Sequence, residues 1–186
     1  FMKHIIIFLF LAMAACKTNS DSRNSNSTYT SFTKDPVVFC KTVKQLNNIV
    51  LENNFPPMVA ARNYVYANMA AYECMVAGDT NWQTLAGQIK HMPAMPRLPK
   101  DKPIDYHLAS LLAFVKVGNA VTCPEGSMMV FYDKLANDAD SLGIPEDMLA
   151  NTIQFADTVS RAVIDWSRGD NYSKTRGASR YSVDET

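Results

Sequence analysis

One face of a single predicted helix carries the side chains that could do chemistry. Arg62 and Tyr66 are four residues apart, as are Met69 and Glu73, so the helical period places all four on one face. Charged and polar groups in an otherwise apolar helix are either catalytic or structural, and the structural kind needs polar partners. Since buried charges are usually paired, we expect Arg62, Tyr66 and Glu73 to form a structural polar face.

The two histidines of the predicted folded part give no pattern of metal or acid–base chemistry. His91 lies among methionines and prolines, and His107 follows Tyr106 at the start of a predicted helix. Neither has a second histidine or a cysteine at the spacing of a metal site. We therefore assign no catalytic, cofactor-binding or metal-binding residue in this chain, and expect both histidines to be surface or partly buried polar groups.

The cysteines also argue against redox chemistry. After Cys16 come Cys40, Cys74 and Cys123, so at most one intrachain disulfide can form in an oxidising compartment. No Cys-x-x-Cys element occurs. We expect no essential disulfide, and we expect Cys40 and Cys74 to be small buried residues of helices.

Residues 1–16 predict a lipoprotein signal. Met2-Lys3-His4 is a short basic start, residues 5–15 are an apolar run, and small residues precede Cys16. The run is too short to span a membrane as an ordinary helix, and the alternative, a plain cleaved signal, would not need the cysteine. We expect a lipid on Cys16 to attach the protein to the membrane of the bacterial cell envelope, facing the periplasm or the surface.

The rest of the chain divides by composition. Residues 17–34 are almost wholly polar and predict a disordered tether, and residues 35–168 predict one helical domain. Residues 169–186 are a polar tail, which we interpret as the start of a missing C-terminal region. A formal net charge of +0 without any Lys/Arg cluster argues against a nucleic-acid partner.

The elements that must position the polar face are all predicted to be helices. Asp35-Pro36 starts the first helix, which ends before Asn53. Pro56-Pro57 starts the second, which ends at Gly78. Its mixture of alanines and tyrosines is typical of a central helix in a bundle.

Three further helices are predicted over residues 104–121, 127–142 and 145–166. In the last, apolar residues recur at spacings of three and four and predict a core face. The proline-rich residues 92–103 can be neither helix nor central strand. Since no alternating strand pattern competes, the predicted fold class is an all-α bundle of about five helices.

The second helix also carries a family resemblance. From Phe55 to Glu73 it resembles a helix in the N-terminal region of bacterial vanadium-dependent haloperoxidase-like proteins, relatives of the type 2 phosphatidic acid phosphatases. The matching elements are Pro56-Pro57, Ala61-Arg62, Tyr64, Tyr66 and Ala71-Tyr72-Glu73. The tail from Asp170 to Arg176, continuing to Tyr181, is similar to the end of that region, so the resemblance covers most of the chain after the predicted tether.

The resemblance implies that the oxyanion chemistry lies in a later helical bundle. In the family it is carried by a lysine followed by an Arg-Pro pair, by a Pro-Ser-Gly-His element, and by a Ser-Arg element followed by a histidine and an aspartate. None of these is present, and Ser160-Arg161 leads to Ser167 where the histidine would stand. Vanadate or phosphate needs several donors and a histidine, so that site is expected only in a missing C-terminal part.

Two functions of different class stay open. The first is the N-terminal helical portion of an envelope-anchored haloperoxidase-like or acid phosphatase-like protein, truncated and inactive by itself, whose partner is the C-terminal catalytic bundle of the same polypeptide. The second is a complete, non-enzymatic helical lipoprotein that binds a peptide, glycan or protein partner through its proline-rich loop and exposed aromatic residues.

Overall fold

The computed structural model describes residues 28–99, 101–122 and 128–179. They form helices α1 (Pro36–Glu52), α2 (Pro57–Gly78), α3 (Tyr106–Val121), α4 (Met129–Ser141) and α5 (Glu146–Ser167), then a 3-10 turn (Arg168–Asp170) and the short helix α6 (Tyr172–Arg176). Within these ranges the only β pairing is an isolated bridge between Ala86 and Ile89. The predicted all-α class is confirmed.

The first helices begin where their sequence signals predict. The Asp35 carboxylate accepts a hydrogen bond of 2.8 Å from the backbone N–H of Val37, and Pro36 takes the first helical position, where no N–H is needed. Pro56 precedes α2 and Pro57 opens it. Local chemistry therefore sets where both helices start.

Helix α3 lies at the centre of the bundle and packs against α1, α2, α4 and α5. Eleven of its sixteen residues are buried, which is the pattern of a helix surrounded by others. Its charged residue, Lys116, forms an ion pair with Asp157 of α5. The bundle is thus centred on α3, and α2 is its most extensive neighbour.

The rows of core residues on α2 and α5 follow helical spacing. On α2 the fully buried apolar positions Ala67, Ala70 and Cys74 are small, which lets neighbouring helices approach closely. On α5 the buried apolar positions are Phe155, Ala156, Val159 and Val163, the face that the sequence predicts. No helix in the described ranges is long and apolar enough to cross a membrane.

Order begins earlier than the predicted tether boundary. Residues 28–33 are helical, and Tyr29 and Thr33 are buried. Thr33 Oγ1 donates a hydrogen bond of 2.9 Å to Asp105 Oδ2, while Tyr29 packs into the core. The Tyr29 ring and the Thr33 hydroxyl thus hold residues 28–33 against the helical domain despite their polar composition. The domain therefore begins before residue 35, where the sequence places its start. Residues 1–16 and 17–27 lie outside the described residues.

The connection between α2 and α3 contains no helix over residues 79–99. Met92 is buried, and Met95 and Leu98 pack against the core. The described part of the proline-rich stretch therefore packs along the surface of the bundle. It is neither helix nor strand, as its prolines predict.

Candidate functional site

The Arg62 cluster joins the start of α2 to the segment after α5. Arg62 Nε lies 2.6 Å from Asp170 Oδ2, and Tyr66 donates its hydroxyl to the same oxygen at 3.1 Å. The Arg62 guanidinium carbon lies 4.4 Å from the ring centroid of Tyr172 and 5.0 Å from that of Tyr66. The cation is thus held between two aromatic rings and a carboxylate.

The protonation states of this cluster fit a structural role. Burial disfavours ionisation of Asp170, but hydrogen bonds from Arg62 and from the Tyr172 N–H outweigh it and lower the pKa of that carboxyl. Burial, reinforced by the charge of Asp170, raises the pKa of Tyr66. Asp170 therefore stays an acceptor and Tyr66 a donor near neutral pH.

Glu73 lies three helical turns further along α2 and has different partners. Its carboxylate accepts hydrogen bonds of 2.7 Å from the hydroxyl of Thr84 and from the backbone N–H of Leu85. Only 3% of Glu73 is exposed. Both charges of the predicted polar face are partnered, but by different segments, so Arg62 and Glu73 do not meet in one site.

The histidines differ in environment. His91 is exposed in a turn with a φ of 62°. His107 is half-buried at the start of α3, where burial lowers its pKa, Asp105 opposes that change and Lys34 adds to it. In the described ranges no group of three or more His, Cys, Asp or Glu side chains could hold a metal ion.

Ser160 and Ser167 bind backbone carbonyls of their own helix. Ser160 Oγ donates a hydrogen bond of 2.6 Å to the carbonyl oxygen of Ala156, and Ser167 Oγ donates one of 2.7 Å to the carbonyl oxygen of Ile164. Burial raises the pKa of Cys74, whereas Cys40 is exposed, so the prediction that Cys40 is buried is wrong. Its helix packs through Leu46, Ile49 and Val50 and turns Cys40 outward. Cys16 and Cys123 lie outside the described residues.

A cleft that the sequence did not indicate lies where α1, α2 and α3 meet. This apolar cleft has a volume of about 550 Å³, and its walls are mostly apolar. Phe39 and Cys40 of α1, Ala71 and Met75 of α2, and Leu111 of α3 are among its lining residues. Volumes of this size are typical of small-molecule sites.

A second opening, the acidic cleft, lies beside it and has a volume of about 420 Å³. Asp79, Asp105, Tyr29 and Tyr106 line it. Both clefts share Lys34, Met75 and His107 as lining residues, so they meet along these three side chains. Because the walls come from distant segments, no local sequence pattern signals either cleft.

Comparison with solved structures supports the resemblance found in the sequence. No protein-family model and no curated protein matches the chain. Among solved structures, the crystal structure of the first bacterial vanadium-dependent iodoperoxidase matches with a TM-score of 0.75 and 27% identity. The match covers 80% of this chain and 35% of that one, so this chain spans about a third of the length of its solved relative. The resemblance found in the sequence is therefore confirmed by structure: the chain has a vanadium haloperoxidase-like helical fold.

Proposed function

We propose that this chain is the N-terminal helical portion of an envelope-anchored haloperoxidase-like or acid phosphatase-like protein, and that it is inactive by itself. The observation that carries the proposal is the unequal coverage: the match takes in 80% of this chain and only 35% of the iodoperoxidase. The oxyanion-binding elements of the family are also missing from this sequence. Under the proposal, they lie in a C-terminal bundle of the same polypeptide.

The described residues do not fit a vanadate or phosphate ion. Such an oxyanion needs several positive or N–H donors converging on one point, with a histidine beside them. Arg62 is already engaged by Asp170 and two tyrosine rings. His107 lies beside the carboxylate of Asp105, which would repel an oxyanion. We therefore derive no catalytic step from this chain.

The proposed location rests on the sequence of the leader. A basic start, an apolar run and Cys16 after small residues support export followed by lipid attachment. The helical domain would then be held near a membrane surface by a lipid on Cys16. Metabolic labelling with a radioactive fatty acid tests this step, because a Cys16→Ser protein should incorporate no label while its parent does.

Activity and native size test the two halves of the proposal separately. Purified residues 17–186 should oxidise no iodide or bromide with added vanadate and should hydrolyse no phosphate monoester. Immunoblotting of the cell envelope with an antibody against α2 should show a band well above 20.7 kDa, the mass of this chain. Halide oxidation by the purified chain would refute the inactivity, and a native band at the mass of this chain would refute the truncation.

A second candidate is a complete, non-enzymatic lipoprotein that binds a partner. The observation that favours it is the apolar cleft of about 550 Å³, which could bind a ligand without any catalytic group. A native band at the mass of this chain, together with no activity, would support this candidate over the first.

A further inference from the structure

We propose that the apolar cleft and the acidic cleft together bind one amphiphilic monocation, with its hydrocarbon chain in the apolar cleft and its ammonium head group in the acidic cleft. This inference does not depend on the proposed function. It rests on the shape, the lining and the charges of the two clefts.

The apolar cleft provides the surface for a hydrocarbon chain. Phe39, Ala71 and Leu111 contribute apolar walls, and Met75 contributes a side chain that adapts to ligand shape. The volume of about 550 Å³ falls within the range of small-molecule sites. Removing a hydrocarbon chain from water is the main source of affinity here, because the hydrophobic effect scales with the apolar area that is buried.

The charges around the acidic cleft favour a cationic head group over an anionic one. Asp79 and Asp105 line this cleft with Lys34 as their only cation, and Asp35 lines the apolar cleft next to it. Two carboxylates and one lysine ammonium thus line the acidic cleft. His107 does not change the balance near neutral pH, because burial lowers its pKa and keeps the ring neutral.

Asp79 is the carboxylate best suited to face the head group. Its Oδ1 accepts hydrogen bonds from the backbone N–H and the side-chain amide of Asn81, at 2.9 and 2.8 Å. Asp79 forms no salt bridge in the part of the chain that the structure describes. By contrast, both oxygens of Asp105 accept hydrogen bonds, from Leu108 N–H and from Thr33.

Two aromatic rings add to the preference for a cation. Tyr29 and Tyr106 line the acidic cleft, and an alkylammonium group interacts favourably with the face of a tyrosine ring. The clefts meet at Lys34, Met75 and His107, so an elongated ligand can lie across the junction with one end in each. An amphiphile fits this pair of clefts better than a compact polar ligand does.

Calorimetric titration of the purified protein with ligands that share one chain length tests the proposal. The probes are decyltrimethylammonium and decanoate, each below its critical micelle concentration, and 1-decanol below its solubility limit, with tetramethylammonium as the head group alone. We expect one decyltrimethylammonium per protein, bound roughly three- to fivefold more tightly than decanoate, which is the size of a solvent-accessible ion pair. Tetramethylammonium alone should bind far more weakly, because it lacks the apolar chain.

Variants on the two sides of the charge balance sharpen the test. Asp79→Asn should reduce the preference for the cation over decanoate, and Lys34→Ala should increase it. Asp140→Asn, which removes an exposed carboxylate from α4 and lines neither cleft, should change nothing. Because the Lys34 and Asp79 variants shift the preference in opposite directions, a folding defect in one of them cannot imitate the result.

Cys40 reports on occupancy of the apolar cleft. It is exposed and lines that cleft, so bound ligand should slow its alkylation, which peptide mapping resolves by mass spectrometry. Equal affinity for the cation and the carboxylate, binding that ignores both the Asp79 and the Lys34 substitution, or an unchanged alkylation rate of Cys40 at saturation would each overturn the proposal.

Discussion

The Arg62 cluster and the pair of clefts use polar residues in opposite ways. At the start of α2, Arg62, Tyr66 and Asp170 contact one another, and the cation is covered by two rings. At the other end of α2, Lys34 and Asp79 form no salt bridge among the described residues, and two openings separate the helices. The first region stabilises the fold, whereas the second leaves charges available to a ligand.

Substitution of Arg62 should destabilise the fold more than any other change considered below. Arg62→Ala removes an ion pair whose side chains are only 17% and 25% exposed, together with the packing of two tyrosine rings. We expect a loss of about 1–2 kcal/mol in the free energy of unfolding. Hydrogen bonds between charged groups contribute more to stability than those between neutral groups, but the partial exposure of this ion pair reduces its contribution. Urea denaturation followed by circular dichroism measures it.

Arg168→Ala is the matched control for that substitution. Arg168 pairs with Asp165 three residues earlier, and both side chains are more than half exposed. Its loss should change the free energy of unfolding by less than about 0.5 kcal/mol. Equal effects of the two substitutions would show that the Arg62 cluster is no more than an ordinary surface ion pair.

A smaller effect is expected where α2 meets α3 beside the acidic cleft. A Cβ at Gly78 would lie 2.4 Å from Cδ2 and 2.5 Å from Cγ of the Tyr106 ring, so Gly78→Ala must displace that ring. Alanine favours a helix more than glycine does, but the overlap should outweigh this gain, for a net loss of about 1 kcal/mol. Differential scanning calorimetry measures the change in melting temperature.

Gly177→Ala serves as the comparison for that variant. A Cβ at Gly177 would meet its nearest atom at 3.5 Å, which is ordinary van der Waals contact. We expect almost no change in melting temperature. If Gly78→Ala raises the melting temperature instead, the tight contact between α2 and α3 is not a constraint on the fold.

The smallest effects distinguish the two regions by pH. Asp170 has a pKa below its ordinary 3.8, so its stabilising contribution is present above that value and is lost as the pH falls through its folded pKa. His107 has a pKa below its ordinary 6.5, because burial disfavours the imidazolium. As the pH falls, His107 therefore binds its proton in the unfolded chain at a higher pH than in the folded chain. The free energy of unfolding declines as the pH falls below 6.5.

Variants separate these two windows. In urea denaturation at a series of pH values, His107→Gln should flatten the decline that begins below pH 6.5, and Asp170→Asn should flatten only the decline below pH 3.8. His91→Gln, at an exposed histidine, should leave the profile unchanged. A decline below pH 6.5 that persists without His107 would place the responsible group elsewhere.

Local sequence patterns predict the structure correctly wherever contiguous residues decide it. Asp35-Pro36 and Pro56-Pro57 start helices because capping and the fixed φ of proline act within a few residues. The core row of α5 follows from its own periodicity. The same reasoning failed for Cys40 and for residues 28–33, because burial there depends on neighbours that local composition does not specify.

The partners of the polar face show the limit of that reasoning. The sequence places Arg62 and Glu73 on one face of α2, and it predicts that they need partners. It does not say that Arg62 pairs with Asp170, 108 residues away, while Glu73 binds Thr84 in the following loop. No spacing rule connects such distant positions.

The helical class, the starts of α1 and α2, and the resemblance to haloperoxidase-like proteins can all be read from the amino-acid sequence, because they depend on neighbouring residues. The central position of α3 and the contact of Asp170 with Arg62 depend on how distant segments pack. The clefts depend on it too: α1, α2 and α3 line the apolar cleft, and α2, α3 and the residues before α1 line the acidic cleft. The physical reason is that helix packing is set by side chains that are far apart in the chain, and a cleft forms where those side chains fail to meet.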